Sequence, residues 1–234
     1  MRLPSLHLAR VPRSARGAFV VVPRSARGAF RVTARSARAA VIVWIALLIA
    51  GVVATAAWEN RRGSWDVSPS RFPPTSSLTL ARHRFTLLLF AHPSCPCTLA
   101  AMHELERILS RRDDRISAQV ILSSPADEIA DGDAAELLKR ARAIPGVAIA
   151  RDPHCVEARA FGARTSGSVF LFEPSGRLVF RGGITGARGH EGDNAGEDAI
   201  LAITDHRAAD TNLPVFGCPL YDPASAPALE SPHP

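Results

Sequence analysis

Cys95 and Cys97 stand one residue apart where the apolar run Phe85–Ala91 gives way to a stretch with helical spacing. A thiol at the N-terminus of a helix meets free backbone N–H groups and the positive end of the helix dipole, and both favour the thiolate. A thiolate attacks disulfides and binds soft metal ions, so this segment has two chemistries open to it. Residues at i and i+2 have Cα atoms roughly 5.5–7 Å apart, at or just beyond disulfide range. A Cys95–Cys97 bond is therefore feasible but strained, and strain makes a disulfide labile. His92, three residues upstream, adds an imidazole that could steady a thiolate or act as a third ligand beside Cys95 and Cys97 for copper or zinc.

Further side chains with chemical potential lie downstream. The loop Arg188-Gly-His-Glu-Gly-Asp-Asn194 precedes a helix. Its His190, Glu191 and Asp193 could meet the thiols as acid, base or ligand, or the loop could simply cap the helix through Asp193 or Asn194. Arg188 could hold an anion or lie in solvent. Glu104, Glu106 and His103 read as solvated helix residues without a role. Cys155 and Cys218 complete the four cysteines. Two arrangements are open for them: a structural Cys155–Cys218 disulfide that ties down the C-terminal segment, or Cys218 as a third redox thiol.

The elements that must position these residues follow from hydrophobic periodicity. Strands are expected at Phe85–Ala91, Ile116–Ser123 and Val147–Ala150, and a hairpin at Ser168–Phe172 and Arg177–Arg181 around the turn Glu173-Pro-Ser-Gly176. Helices are expected at Thr98–Arg111, Asp131–Ala143, Cys155–Phe161 and Ala195–Arg207. The order β-α-β-α-β-α-β-β-α implies parallel pairing closed by antiparallel strands, an α/β domain with a mixed sheet flanked by helices over residues 82–210.

Ahead of that domain the composition changes twice. Of the 28 Lys and Arg residues, nine lie in residues 1–40, which hold no Asp or Glu. The other 19 face 22 acidic residues, a net of −3, so the folded part has no basic footprint for nucleic acid. Residues 1–38 repeat an Arg-rich unit: Val11-Pro-Arg-Ser-Ala-Arg-Gly-Ala-Phe19 recurs at Val22–Phe30, with a worn copy at Thr33–Ala40. Low apolar content with Pro12 and Pro23 predicts a disordered tail. Residues 39–58 carry no charge and at ~1.5 Å per residue span about 30 Å, one bilayer core. They predict a single transmembrane helix; a cleaved signal peptide ending at Ala54-Thr-Ala56 is the alternative. The positive-inside rule keeps the Arg-rich side cytoplasmic, which places the C-terminal domain in the periplasm of a bacterial inner-membrane protein. Residues 59–81 read as a Pro- and Ser-rich linker and 211–234 as a C-terminal tail.

With the residues in place, the corner Phe90-x4-Cys95 resembles the active-site corner of the thioredoxin fold, where a Cys-x-x-Cys follows an aromatic-ended strand. The chain departs by one residue, with Pro96 alone between the cysteines, and Gly167 stands where that family has a cis-proline. His92-Pro-Ser-Cys-Pro-Cys97, Thr165-Ser-Gly167, Gly182-Gly-Ile-Thr185, Arg188–Asn194 and Phe216-Gly-Cys-Pro219 together resemble the RedB-type group of membrane-anchored, thioredoxin-like bacterial proteins. The resemblance implies a thioredoxin-like domain behind one membrane helix, and the dithiol corner points to a thiol–disulfide oxidoreductase acting on envelope proteins that carry thiols or disulfides. Cys95 would attack, Cys97 would resolve, His92 and His190 would modulate, and no cofactor would be needed. The competing reading is a copper-chaperone-like thiolate module. Peroxide reduction lacks its Pro-x-x-x-Thr-x-x-Cys pattern, and a redox-inert interaction domain completes the range.

Overall fold

The structure is a computed structural model and describes residues 34–126 and 131–222. The chain divides into two compact units, Met1–Ile49 and Ala50–Pro234. The Arg-rich repeats through residue 33 and the end of the C-terminal tail lie outside the described residues. Helix α1, Ala34–Glu59, takes in the expected span 39–58 and starts five residues earlier. The worn third repeat has lost its proline, and Ala and Arg are strong helix formers, so the helix runs into it. Its apolar side chains are exposed all round, and it is long and apolar enough to cross a membrane.

Five strands, β1 (Phe85–Ala91), β2 (Ile116–Ser124), β3 (Val147–Pro153), β4 (Ser168–Phe172) and β5 (Leu178–Gly182), form one sheet in the order β3-β2-β1-β4-β5. β1 pairs parallel with β2 and β2 with β3, whereas β4 runs antiparallel to both β1 and β5. Helices α2 (Cys97–Arg112), α3 (Asp131–Ala143), α4 (Val156–Phe161) and α5 (Ala195–Thr204) complete the element order the periodicity predicts. β1 is central and covered on both faces, which is why it reads as an unbroken apolar run rather than an alternation. Leu87, Leu89 and Ala91 pack with α2, α3 and α5; Leu88 and Phe90 pack with Phe161 of α4 and with Phe170 and Phe172 of β4.

The strand and helix ends carry small corrections. β3 extends to Pro153 because its register with β2 continues to Ser124. There Asp152, buried and held by the Ser123 hydroxyl at 2.7 Å, accepts the backbone N–H groups of Glu157 and Ala158 at 2.9 and 3.0 Å. α5 stops at Thr204, and His206 follows in a left-handed conformation with φ 57°.

The segment expected to be a linker is part of the fold. Trp65 bridges to Ala163 and Arg71 to Arg177, and the Trp65 ring meets Phe170 edge-on with centroids 5.7 Å apart. Phe72 packs against Phe161 and Phe172 at 5.3 and 5.2 Å, and Leu78 is buried beside them. Ser76 and Ser77 hold the Glu157 carboxylate at 2.7 Å. Proline and serine set its irregular backbone, but the interleaved aromatics seal the second face of the sheet.

Candidate functional site

β1 ends at Ala91, and five residues turn the chain into α2, whose first residue is Cys97. The turn is anchored at both ends: the His92 N–H donates to the Ser166 hydroxyl at 2.8 Å, and the Cys95 N–H to the His92 carbonyl at 3.1 Å. Pro96 has φ −64° and ψ −28°, already helical, so it fits the start of a helix without needing an N–H. The Thr98 hydroxyl, buried in the first turn, shares a 2.7 Å hydrogen bond with the Ser166 hydroxyl and also reaches the Cys95 sulfur.

A third sulfur enters from far away in sequence. Residues 211–222 fold back over the domain as a strap, with Gly63 N–H to Val215 C=O at 2.8 Å and Gly183 N–H to Pro214 C=O at 3.0 Å. Next to the thiols the strap pairs antiparallel with residues 164–166: Thr165 bridges to Pro219, Ser166 N–H donates to Cys218 C=O at 2.8 Å, and Leu220 N–H to Arg164 C=O at 2.8 Å. Cys218 Sγ thereby lies 3.1 Å from Cys95 Sγ, and the sulfurs of Cys95, Cys97 and Cys218 all lie within 4.8 Å of one another. The expected Cys155–Cys218 bridge is not what the strap builds. All four cysteines are free thiols; Cys155 is buried in the aromatic cluster, where its sulfur donates to the Leu220 carbonyl at 3.5 Å.

Electrostatics separate these thiols. Burial pushes Cys95 up, but hydrogen bonds from the Cys218 thiol, the Thr98 hydroxyl and the backbone N–H groups of Cys218 and Cys97 outweigh it, so the net shift is downward. Cys97 is raised by burial and then by the negative charge of Cys95. Cys218 is pushed up to about 12 by burial, by the hydrogen bond it gives to Cys95 and by the charge of Cys95. The Arg188 guanidinium pulls Cys97 and Cys218 downward without reversing either. Of the three sulfurs, Cys95 is thus the one whose neighbours favour the thiolate, whereas the surroundings of Cys97 and Cys218 favour the thiol.

The fold of this domain is thioredoxin-like. The sheet order, the strand-to-helix corner and the cysteines on it coincide in the arrangement the sequence resembles. Among solved structures, an uncharacterised conserved protein from Geobacillus kaustophilus matches with TM-score 0.52 and 18% identity, over 71% of this chain and 94% of that one. A hypothetical protein from Sinorhizobium meliloti matches with TM-score 0.50 and 20% identity, over 68% and 93%. An exposed lipoprotein thioredoxin from Streptococcus pneumoniae matches with TM-score 0.40 and 19% identity, over 53% and 86%. No protein-family profile matches the chain, and no curated protein matches it in sequence.

The remaining candidates divide. His92 is half-buried; burial lowers its pKa, which favours the neutral imidazole, and its Nδ1 accepts the Ser94 N–H at 3.2 Å. It stands outside the group of clustered donor atoms, where Cys218 takes the place expected for it. His190 is exposed, and the loop around it is tied to α2 rather than to the thiols. Glu191 pairs with His103, Asp193 with Arg107 at 3.0 Å, and the Gly192 N–H donates to Glu104 at 2.7 Å. Glu104 is thus no solvated charge but a fully buried carboxylate that pins the loop, with Arg107 at 3.1 Å. Asn194 is the residue that caps α5, accepting the Glu197 N–H at 2.9 Å. From the same loop Arg188 does reach the site. Its N–H donates to the Glu59 carbonyl at 3.1 Å, and its guanidinium lies over the Trp58 ring at 5.2 Å. Sequence reasoning missed Thr98 and Ser166; a hydroxyl one residue after the second cysteine is the signal that could have found the first.

Gly167 explains the missing proline. It has φ +91°, and its N–H donates to the Phe90 carbonyl at 2.8 Å. Proline can satisfy neither requirement.

Proposed function

We propose that this chain is a membrane-anchored thiol–disulfide oxidoreductase of the RedB type, acting through its Cys-Pro-Cys thiols on envelope proteins that carry thiols or disulfides. The observation that carries the reading is the Cys95 sulfur in the turn just before α2, within hydrogen-bonding distance of a second thiol and inside a group of three. The Cys95 sulfur, as thiolate, attacks one sulfur of a client disulfide, a mixed disulfide forms, and a neighbouring thiol resolves it. The chemistry needs no cofactor beyond these sulfurs and an electron donor. The apolar helix α1 supports an anchor in the inner membrane, and the Arg-rich segment before it supports a cytoplasmic N-terminus and a periplasmic domain. The test is the full chain in detergent reducing a small aromatic disulfide. Cys95→Ser should abolish turnover while the circular dichroism spectrum stays that of the wild type; undiminished turnover in that variant overturns the reading.

The clustering of three sulfurs within 4.8 Å favours one second reading, a site for a soft cation such as Cu(I) or Zn(II). Thiolates are the ligand type these ions prefer, and Cys95, Cys97 and Cys218 would hold the ion. Stoichiometric Cu(I) retention against a chelator, lost in Cys97→Ser, would favour this reading over the first.

A further inference from the structure

Cys95 has two neighbours that could close a disulfide with it, and the geometry does not treat them alike. Cys97 is two residues away across a proline with helical dihedrals. The Cys97 sulfur lies within 4.8 Å of that of Cys95 and shares a hydrogen bond with it, but the two cysteines flank a single residue, and closing a bond between i and i+2 strains the start of α2. Cys218 comes from the opposite side on its own segment, with its sulfur 3.1 Å from that of Cys95. A disulfide bond is ~2.05 Å long, so closure asks for about one ångström of movement. The strap is fixed in register at Cys218, by Ser166 N–H to its carbonyl, and two residues on, by Leu220 N–H to Arg164 C=O, both at 2.8 Å. Gly217 allows this approach: a Cβ there would stand 1.9 Å from the Ser166 carbonyl oxygen. Cys95 is 4% exposed, whereas Cys97 and Cys218 are half-buried at the rim.

We propose that Cys218 is the resolving thiol of this site and that Cys95–Cys218 is its working disulfide. The inference rests on the oxidoreductase reading above and assigns the second sulfur of that reaction. The Cys95 thiolate attacks one sulfur of a client disulfide; the Cys95–client bond forms, and the other client sulfur leaves as a thiolate and takes a proton from solvent. The Cys218 sulfur then attacks the Cys95 sulfur. The Cys95–Cys218 bond forms, the bond to the client breaks, and the second client sulfur leaves with the proton that Cys218 gives up. The client gains two electrons and two protons, and the chain's dithiol is oxidised by two electrons. A dithiol reductant then restores the starting state.

The experiment uses the full chain in detergent, equilibrated in glutathione buffers, quenched in acid, alkylated and mapped by mass spectrometry without reduction. Wild type should yield a Cys95–Cys218 link. Cys97→Ser should keep that link at the same buffer ratio. Cys218→Ser should lose it and accumulate a Cys95–glutathione mixed disulfide. A Cys95–Cys97 link in wild type that persists unchanged in Cys218→Ser overturns the assignment of Cys218 but leaves the oxidoreductase reading standing. If none of the three sulfurs forms a reversible link in any buffer, the oxidoreductase reading itself fails, and this assignment with it.

Discussion

Gly217→Ala probes how the third sulfur is held without touching any sulfur. The new Cβ would stand 1.9 Å from the Ser166 carbonyl oxygen, where ordinary contact begins at 3.4 Å, and the obstructing atom is backbone. The strap must retreat by about 1.5 Å, which breaks the hydrogen bonds Ser166 N–H to Cys218 C=O and Leu220 N–H to Arg164 C=O. Overpacking of this kind costs about 1–3 kcal/mol, and each lost hydrogen bond about 1 kcal/mol. The strap should therefore open more easily by roughly 3–5 kcal/mol, with the loss capped at its own local opening free energy, since the sheet need not unfold with it. At 1.4 kcal/mol per factor of ten, even the lower figure is an increase of about 100-fold in the open population. Hydrogen exchange followed by mass spectrometry on the full chain in detergent reads this at the Ser166 and Leu220 amides, with the β1 amides as the internal control. Alkylation of Cys218 should accelerate alongside. Exchange at Ser166 and Leu220 no faster than in wild type would refute the claim that close backbone approach at Gly217 seats the strap.

Two other perturbations follow from the structure. Phe72→Ala removes a partly buried ring that contacts Phe161 and Phe172 at 5.3 and 5.2 Å, and should cost about 2–4 kcal/mol, at the low end of Phe-to-Ala truncations. In a domain of this size that lowers Tm by roughly 5–10 °C, whereas an unchanged Tm would return residues 59–81 to the status of a free tether. Thr98→Val removes a hydroxyl donor to the Cys95 thiolate, so the pH at which Cys95 becomes reactive to iodoacetamide should rise, and a profile that does not move upward would contradict the role of that hydroxyl. The sign for stability follows as well: a thiol whose folded pKa is depressed contributes stability that is fully present above its unfolded pKa and is lost as pH falls through the folded value.

What could be read from the sequence was what local periodicity encodes. β1, α3 and β4 occupy the expected residues, and the other elements differ by a few residues at their ends. Those differences have particular causes: a buried Asp152 that caps α4 from the end of β3, and a left-handed His206 that turns the chain after α5. The helix before the domain was legible because twenty uncharged residues leave few alternatives, and its early start was not, because it depends on one proline lost from a repeat. The linker failed as an expectation for a different reason. Composition weighs Pro and Ser against helix and strand, but it does not register that Trp65, Phe72 and Leu78 face one uncovered side of a sheet.

Long-range contacts were the least legible, and the site is made of them. Cys95 and Cys97 announce themselves by spacing, but Cys218 lies 123 residues from Cys95, and its neighbourhood, Phe216-Gly-Cys-Pro219, has no periodicity that would aim it. Counting cysteines offers three pairings with equal standing, and a tail cysteine next to a buried one invites a structural bridge. Two features break that tie. Cys155 sits in an apolar cluster whose burial, with the Asp152 charge beside it, pushes its thiol up to about 12, an environment that suits an inert thiol. Gly217 lets the strap lie against residues 164–166 closely enough to bring the following residue to Cys95. The residue most informative about the third sulfur is therefore the glycine before it. Glycine in a proline-flanked tail reads as flexibility in sequence, whereas here it is a close approach of two backbones that fixes the chemistry of the site.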